Sequence, residues 1–108
     1  MNTLQAGFGR VNITPMMGLR IRGYFKDRFV EGILDDLEVN AVALACGDNK
    51  ALLITIDCCS IDTVDVNAFI ANASKVTGVP EEAIFVHATH THTASYYGLN
   101  SKDDLIRE

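Results

Sequence analysis

All three histidines of the chain lie in or directly after one short apolar segment. His87 lies inside the segment AIFVHA, and His90 and His92 follow it among alternating threonines. Residues two positions apart in an extended segment point to the same side, so His90 and His92 can face one metal ion or one anionic intermediate. His87 has the opposite parity. The spacing therefore predicts a site at His90 and His92, and a half-buried structural role for His87.

A carboxylate follows the preceding apolar segment in the same way. Asp57 ends the run ALLITID. It can be a metal ligand, a carboxylate that orients a metal-bound histidine, or a cap of the next helix or turn. A catalytic zinc site needs at least three protein ligands. Asp57, His90 and His92 could supply them, and ligands from elsewhere would do so equally well.

The elements that must position these residues follow from the apolar periodicity. Alternating or continuous apolar runs predict strands. A helix with Gly78 as its C-cap is predicted by an amphipathic stripe at Val66, Phe69, Ile70, Ala73 and Val76. The predicted elements are a strand over 6–14, a hairpin of strands 37–46 and 51–57 with a three- to four-residue loop, a helix over 62–76 and a strand over 84–90. A long irregular loop is expected over 16–34.

The order strand, helix, strand over 51–90 predicts a right-handed βαβ unit with parallel strands. Such strands need cover on both faces of the sheet, and one helix provides too little. We therefore expect an α/β fold with a mixed sheet, made of an N-terminal strand, a β-hairpin and the βαβ unit. Residues 1–108 would form a single partial domain, an incomplete part of a larger layered α/β domain. The apolar surface left over predicts a homo-oligomer or a missing C-terminal remainder.

Composition excludes several classes of protein. The 108 residues carry a net charge of −5, which argues against nucleic acid as a partner. No apolar run is long enough for a transmembrane segment. The cysteines Cys46, Cys58 and Cys59 are odd in number and include an adjacent pair, so reduced, buried thiols are expected rather than disulfides. No signal peptide is visible, which predicts a cytoplasmic protein, or a secreted one if a leader was removed.

The order of the segments resembles the neutral ceramidase family, of the neutral/alkaline non-lysosomal type. The similar pieces are AGFGRVNITP at 6–15, the pair Gly23 and Tyr24, the strand end ITID, and GVPEEAIFVHATHTH at 78–92. The resemblance extends from Ala6 to about residue 98, which corresponds to the N-terminal portion of the family's catalytic domain.

This resemblance implies a zinc-dependent amidohydrolase that cleaves the N-acyl amide bond of ceramide or a related lipid amide. It implies His90 as a zinc ligand, His92 as a catalytic residue near the substrate, and Gly23 and Tyr24 as substrate-binding residues. Two features depart from the family. Residues 93–95 read TAS where the family has SGP. The family's remaining zinc ligands, a further His, a Glu and a Tyr, come from later in a longer chain. We therefore expect little amidase activity and weak zinc affinity from this chain alone. The alternative is a non-catalytic, self-associating α/β module with a vestigial or structural histidine pair.

Overall fold

The computed structural model describes residues 3–14, 29 and 32–94. Their sheet has the strand order β1-β2-β3-β4, in which β1, β2 and β3 pair antiparallel and β3 pairs with β4 in parallel. The mixed sheet with one helix confirms the predicted fold class. The elements are β1 (Leu4–Asn12), β2 (Glu38–Cys46), β3 (Asn49–Ile56), helix α1 (Thr63–Thr77), a short 3-10 turn (Glu81–Ala83) and β4 (Ile84–Ala88).

The hairpin between β2 and β3 is tighter than predicted. Cys46 pairs with Asn49, so the connection has two residues, and the prediction of a three- to four-residue loop was wrong. Gly47 adopts a φ of 62°, the left-handed conformation that two-residue hairpin turns require at their first central position. The polar residues Asn49 and Lys50 belong to the ladder, because backbone pairing does not require apolar side chains.

Helix α1 connects the parallel strands and covers one face of the sheet. Ile70 and Ala73 pack against a small buried cluster of Leu52, Val79 and Ile84. Gly78 has a φ of 78° and donates its N–H to the carbonyl of Ser74 at 2.8 Å, which confirms it as the C-cap. No helix in the described part of the chain is long and apolar enough to span a membrane.

The opposite face of the sheet carries a row of apolar side chains. The register aligns Phe8 with Val42, Val42 with Leu53, and Leu53 with Phe85, one from each strand. Phe8 is 80% exposed and Phe85 is 61% exposed, so this face has much less cover than the face under α1. The expectation that further protein packs here stays a prediction.

Candidate metal site

The parallel ladder between β3 and β4 continues beyond both strands and forms the base of the site. The Thr89 N–H donates to the Ile56 carbonyl at 3.0 Å, and the His90 N–H donates to the Cys58 carbonyl at 2.9 Å. These two bonds hold the segment after β4 beside the segment after β3. Polar side chains at the carboxyl ends of both strands are thereby brought to one edge of the sheet, where α/β folds commonly bind ligands.

His90 leaves the strand through a left-handed turn. Its φ of 65° is the single positive value among the described residues other than glycine. A left-handed backbone at a residue with a side chain costs on the order of 1 kcal/mol, which surrounding contacts must offset. The turn ends the extended geometry after Ala88, two residues earlier than the predicted strand end. It also directs the imidazole toward the segment after β3.

The ring of His90 is held by a backbone carbonyl. Its Nδ1 lies 2.8 Å from the carbonyl oxygen of Cys59. A carbonyl can only accept a hydrogen bond, so Nδ1 carries the proton and donates it. The neutral ring then has its lone pair on Nε2, which points away from the carbonyl. Metal-binding histidines commonly have this arrangement, because the bond at one nitrogen orients the other toward the ion.

His92 faces the other ring nitrogen of His90. The two Nε2 atoms are 3.3 Å apart, and the rings meet edge to face at an interplanar angle of 82°. Between them the chain is turned by Thr91, whose Oγ1 accepts the Thr93 N–H at 3.2 Å and lies 2.8 Å from the Thr93 Oγ1. The sequence predicted that the two histidines converge. They do so through two turns rather than by alternation along a strand.

Cys59 is the third side chain of the cluster, and the sequence reading missed it. Its thiol is buried, and Sγ lies 3.6 Å from Nδ1 of His90. One ligand atom each from Cys59, His90 and His92 lie within 4.8 Å of one another, so the cluster can bind a metal ion. The sequence did contain a signal for Cys59. Cys58 and Cys59 come shortly after β3, His90 comes shortly after β4, and the ends of these two parallel strands lie side by side. Cysteines next to an apolar run are expected to pack as small buried hydrophobes, so this position does not by itself indicate a metal ligand.

The distance between the two histidine Nε2 atoms matches the distance between two nitrogen ligands of a tetrahedral zinc ion. Zinc–nitrogen bonds of 2.0–2.1 Å place two nitrogen ligands about 3.3 Å apart, which matches the observed 3.3 Å between the Nε2 atoms. A thiolate at the usual zinc–sulfur distance would lie about 3.6 Å from each nitrogen. The ligand atoms of the cluster lie within 4.8 Å of one another, so they would have to draw together by up to about 1 Å to share one ion.

Asp57 lies at the same strand end but serves the sheet. Its Oδ2 accepts the Glu38 N–H at 2.9 Å, and its own N–H donates to the Glu38 carbonyl at 3.0 Å. The carboxylate thus extends the β2–β3 pairing by one residue. Among the described residues, the group of side chains close enough to share a metal ion contains Cys59, His90 and His92 and does not contain Asp57.

The remaining predicted residues are separate from the cluster. His87 lies on the face opposite α1, where its Nε2 is 2.7 Å from the hydroxyl of Thr55, which agrees with its predicted opposite orientation. Its side chain is exposed, so the prediction of a half-buried position was wrong. Gly23 and Tyr24, the predicted substrate-binding pair, lie outside the described residues.

A surface cavity of about 360 Å³ lies at the other end of the sheet. It is lined by residues near the start of β3, such as Lys50 and Leu52, by Thr77 at the end of α1, and by Val79 after the helix. Because Cys59 follows the carboxyl end of β3 and the histidine pair follows the carboxyl end of β4, this cavity is separate from the candidate metal site.

Comparison with known proteins assigns no family. No protein-family model matches the chain, and no curated protein matches it significantly.

Proposed function

We propose that this chain is the N-terminal portion of a neutral ceramidase-like, zinc-dependent amidohydrolase that cleaves an N-acyl amide bond. The observation that carries the proposal is the histidine pair, with Nε2 atoms 3.3 Å apart and the His90 ring oriented by the Cys59 carbonyl. The order of motifs from residue 6 to residue 92 supports the amidohydrolase class.

In the proposed site, His90 binds zinc through Nε2, because its Nδ1 proton is engaged by the carbonyl of Cys59. His92 contributes to the same metal and substrate site, because its Nε2 lies next to the Nε2 of His90. When bound, zinc supplies a Lewis acid that polarises the substrate carbonyl and activates water. The backbone bonds at Thr89 and His90 keep the two strand ends together, so the donors are positioned before substrate arrives.

The exposed apolar row favours a second candidate, a self-associating α/β module without catalysis. Phe8, Leu53 and Phe85 are 80%, 40% and 61% exposed, and a second copy of the chain would bury them. In that case the histidine pair would be vestigial or would bind metal only for structure. Size-exclusion mass and metal content separate the two candidates. A tight oligomer that takes up no zinc when zinc is supplied favours the module.

A paired activity experiment tests the proposed function. Hydrolysis of a fluorescent ceramide analogue is measured for the 108-residue chain and for the product of the gene's continuing reading frame. We expect little or no hydrolysis by the chain alone and zinc-dependent hydrolysis by the longer product. H90A and H92A in the longer product should each abolish turnover, whereas H87A should retain it.

Two outcomes would contradict this proposal. Robust ceramide hydrolysis by the 108-residue chain would show that the site needs no further residues. A reading frame that continues without a further His, Glu and Tyr to complete the zinc site would remove the amidohydrolase assignment.

A further inference from the structure

We propose that Cys59 is a metal ligand, so that Cys59, His90 and His92 form a Cys-His-His site for zinc within this chain. The inference rests on the metal site of the proposed function and adds to it a thiolate that neither the histidine motif nor the resemblance supplies. Among the described residues, these three form the one group with metal-ligating side chains close enough to share an ion.

The thiol of Cys59 lies beside the imidazole ring that the carbonyl of the same residue orients. Cys59 offers its carbonyl oxygen to the His90 Nδ1 proton at 2.8 Å, and its Sγ lies 3.6 Å from that nitrogen. The backbone and side chain of one residue therefore both face the ring of His90. A rotation about the Cα–Cβ bond of Cys59 moves Sγ without disturbing the carbonyl contact. That rotation changes the position of Sγ on the ångström scale by which the 4.8 Å span of the cluster must shorten.

The chemistry of the donors selects the ion. One thiolate and two imidazoles suit zinc and related borderline-soft cations better than magnesium or calcium, which prefer oxygen ligands. Three protein ligands also leave one position of a tetrahedral ion open, as in catalytic zinc sites. Binding replaces the thiol proton of Cys59 by the metal, and that proton leaves to solvent.

Burial makes this thiol different from Cys46. Cys59 is 7% exposed, whereas Cys46 is partly exposed at the far end of β2, where it pairs with Asn49. A buried thiolate without a partner is costly, and coordination to a cation provides that partner. Cys46 lies away from the histidine pair and therefore serves as a matched control.

Cobalt(II) substitution in the 108-residue chain tests the inference without reference to activity. A thiolate ligand gives an ultraviolet charge-transfer band, and a tetrahedral site gives visible d–d bands. We expect both in the wild type and in C46S. In C59S the charge-transfer band should disappear, and cobalt affinity should fall at least roughly tenfold.

Because C59S alters a buried residue, a second measurement uses the unmodified protein. Iodoacetamide labelling is followed by mass spectrometry, with the rate at Cys46 as the internal reference. Zinc should slow the labelling of Cys59 relative to Cys46, and H90A should remove that protection.

The outcomes separate this inference from the proposed function. His90-dependent cobalt binding without a charge-transfer band would overturn the role of Cys59 and leave the histidine site in place. A band retained in folded C59S, or labelling of Cys59 that zinc does not slow, would overturn it equally. Failure of the 108-residue chain to bind cobalt or zinc would overturn the Cys-His-His site, and it would leave the proposed function to the activity test of the longer product.

Discussion

The three histidines occupy two regions of the molecule that differ in what controls the direction of a side chain. His87 lies inside β4, where alternation places it on the open face beside Thr55. His90 and His92 lie beyond the strand, where a left-handed turn and a threonine turn bring their rings together. Regular structure thus turns one imidazole away from the strand end, and irregular structure brings the other two to it.

The difference between the two regions predicts that H90A causes the largest loss of zinc affinity. Removal of this ring takes away the nitrogen that the Cys59 carbonyl orients, so zinc affinity should fall by at least roughly 100-fold. Competition with a chromophoric chelator measures the change. H87A is the matched control, since it removes the same side chain from the other region. An equal loss of zinc affinity in H90A and H87A would contradict the assignment of the zinc site to the region beyond the strand.

An intermediate effect is expected at the carboxylate that borders the site. D57A removes the acceptor for the Glu38 N–H, so the free energy of unfolding should fall by about 1–2 kcal/mol. D57N keeps an oxygen acceptor and should recover most of that loss. Urea unfolding measures both variants.

Zinc binding gives the second readout for Asp57. D57A should keep zinc affinity within about threefold of the wild type, because Asp57 is outside the cluster. A loss of zinc as large as in H90A would instead make Asp57 a ligand.

The smallest effect is expected in the region of His87. Its 2.7 Å contact with the Thr55 hydroxyl is exposed to water, which can replace the lost partner. H87A should therefore lower the free energy of unfolding by only about 0.5 kcal/mol. Thermal unfolding in the presence of a chelator measures this change without a contribution from metal. A loss of several kcal/mol would show that His87 contributes far more to the fold than this contact accounts for.

The periodicity of the sequence was sufficient to predict the elements that position the site. The apolar runs and the stripe through Ile70 and Ala73 predicted the strands, the helix and the parallel pairing, and Gly78 predicted the helix end. Part of the helix stripe proved exposed, with Val76 at 84%, because the face of α1 that contacts the sheet is narrower than the apolar stripe. The hairpin length was wrong because polar residues joined the ladder.

The site was less predictable than the elements, for a physical reason. The convergence of His90 and His92 was predicted, but the left-handed φ at His90 was not. Histidine adopts positive φ more often than most other residues with a side chain, but such residues are uncommon, so the residue type alone does not mark the turn. Cys59 was missed because a cysteine next to an apolar run usually packs as a small hydrophobe. Only the continued ladder, from Cys58 to His90, shows that its side chain lies beside an imidazole.

The most direct test of the central claim compares the three histidines in one sample. Zinc is titrated into the histidine-labelled chain, and the imidazole resonances of His87, His90 and His92 are followed by NMR. A zinc site at this strand end predicts that the resonances of His90 and His92 shift together and saturate at one equivalent of zinc, while those of His87 stay unchanged. A response at His87 equal to that of the pair, or no response at His90, would contradict a zinc site at this strand end.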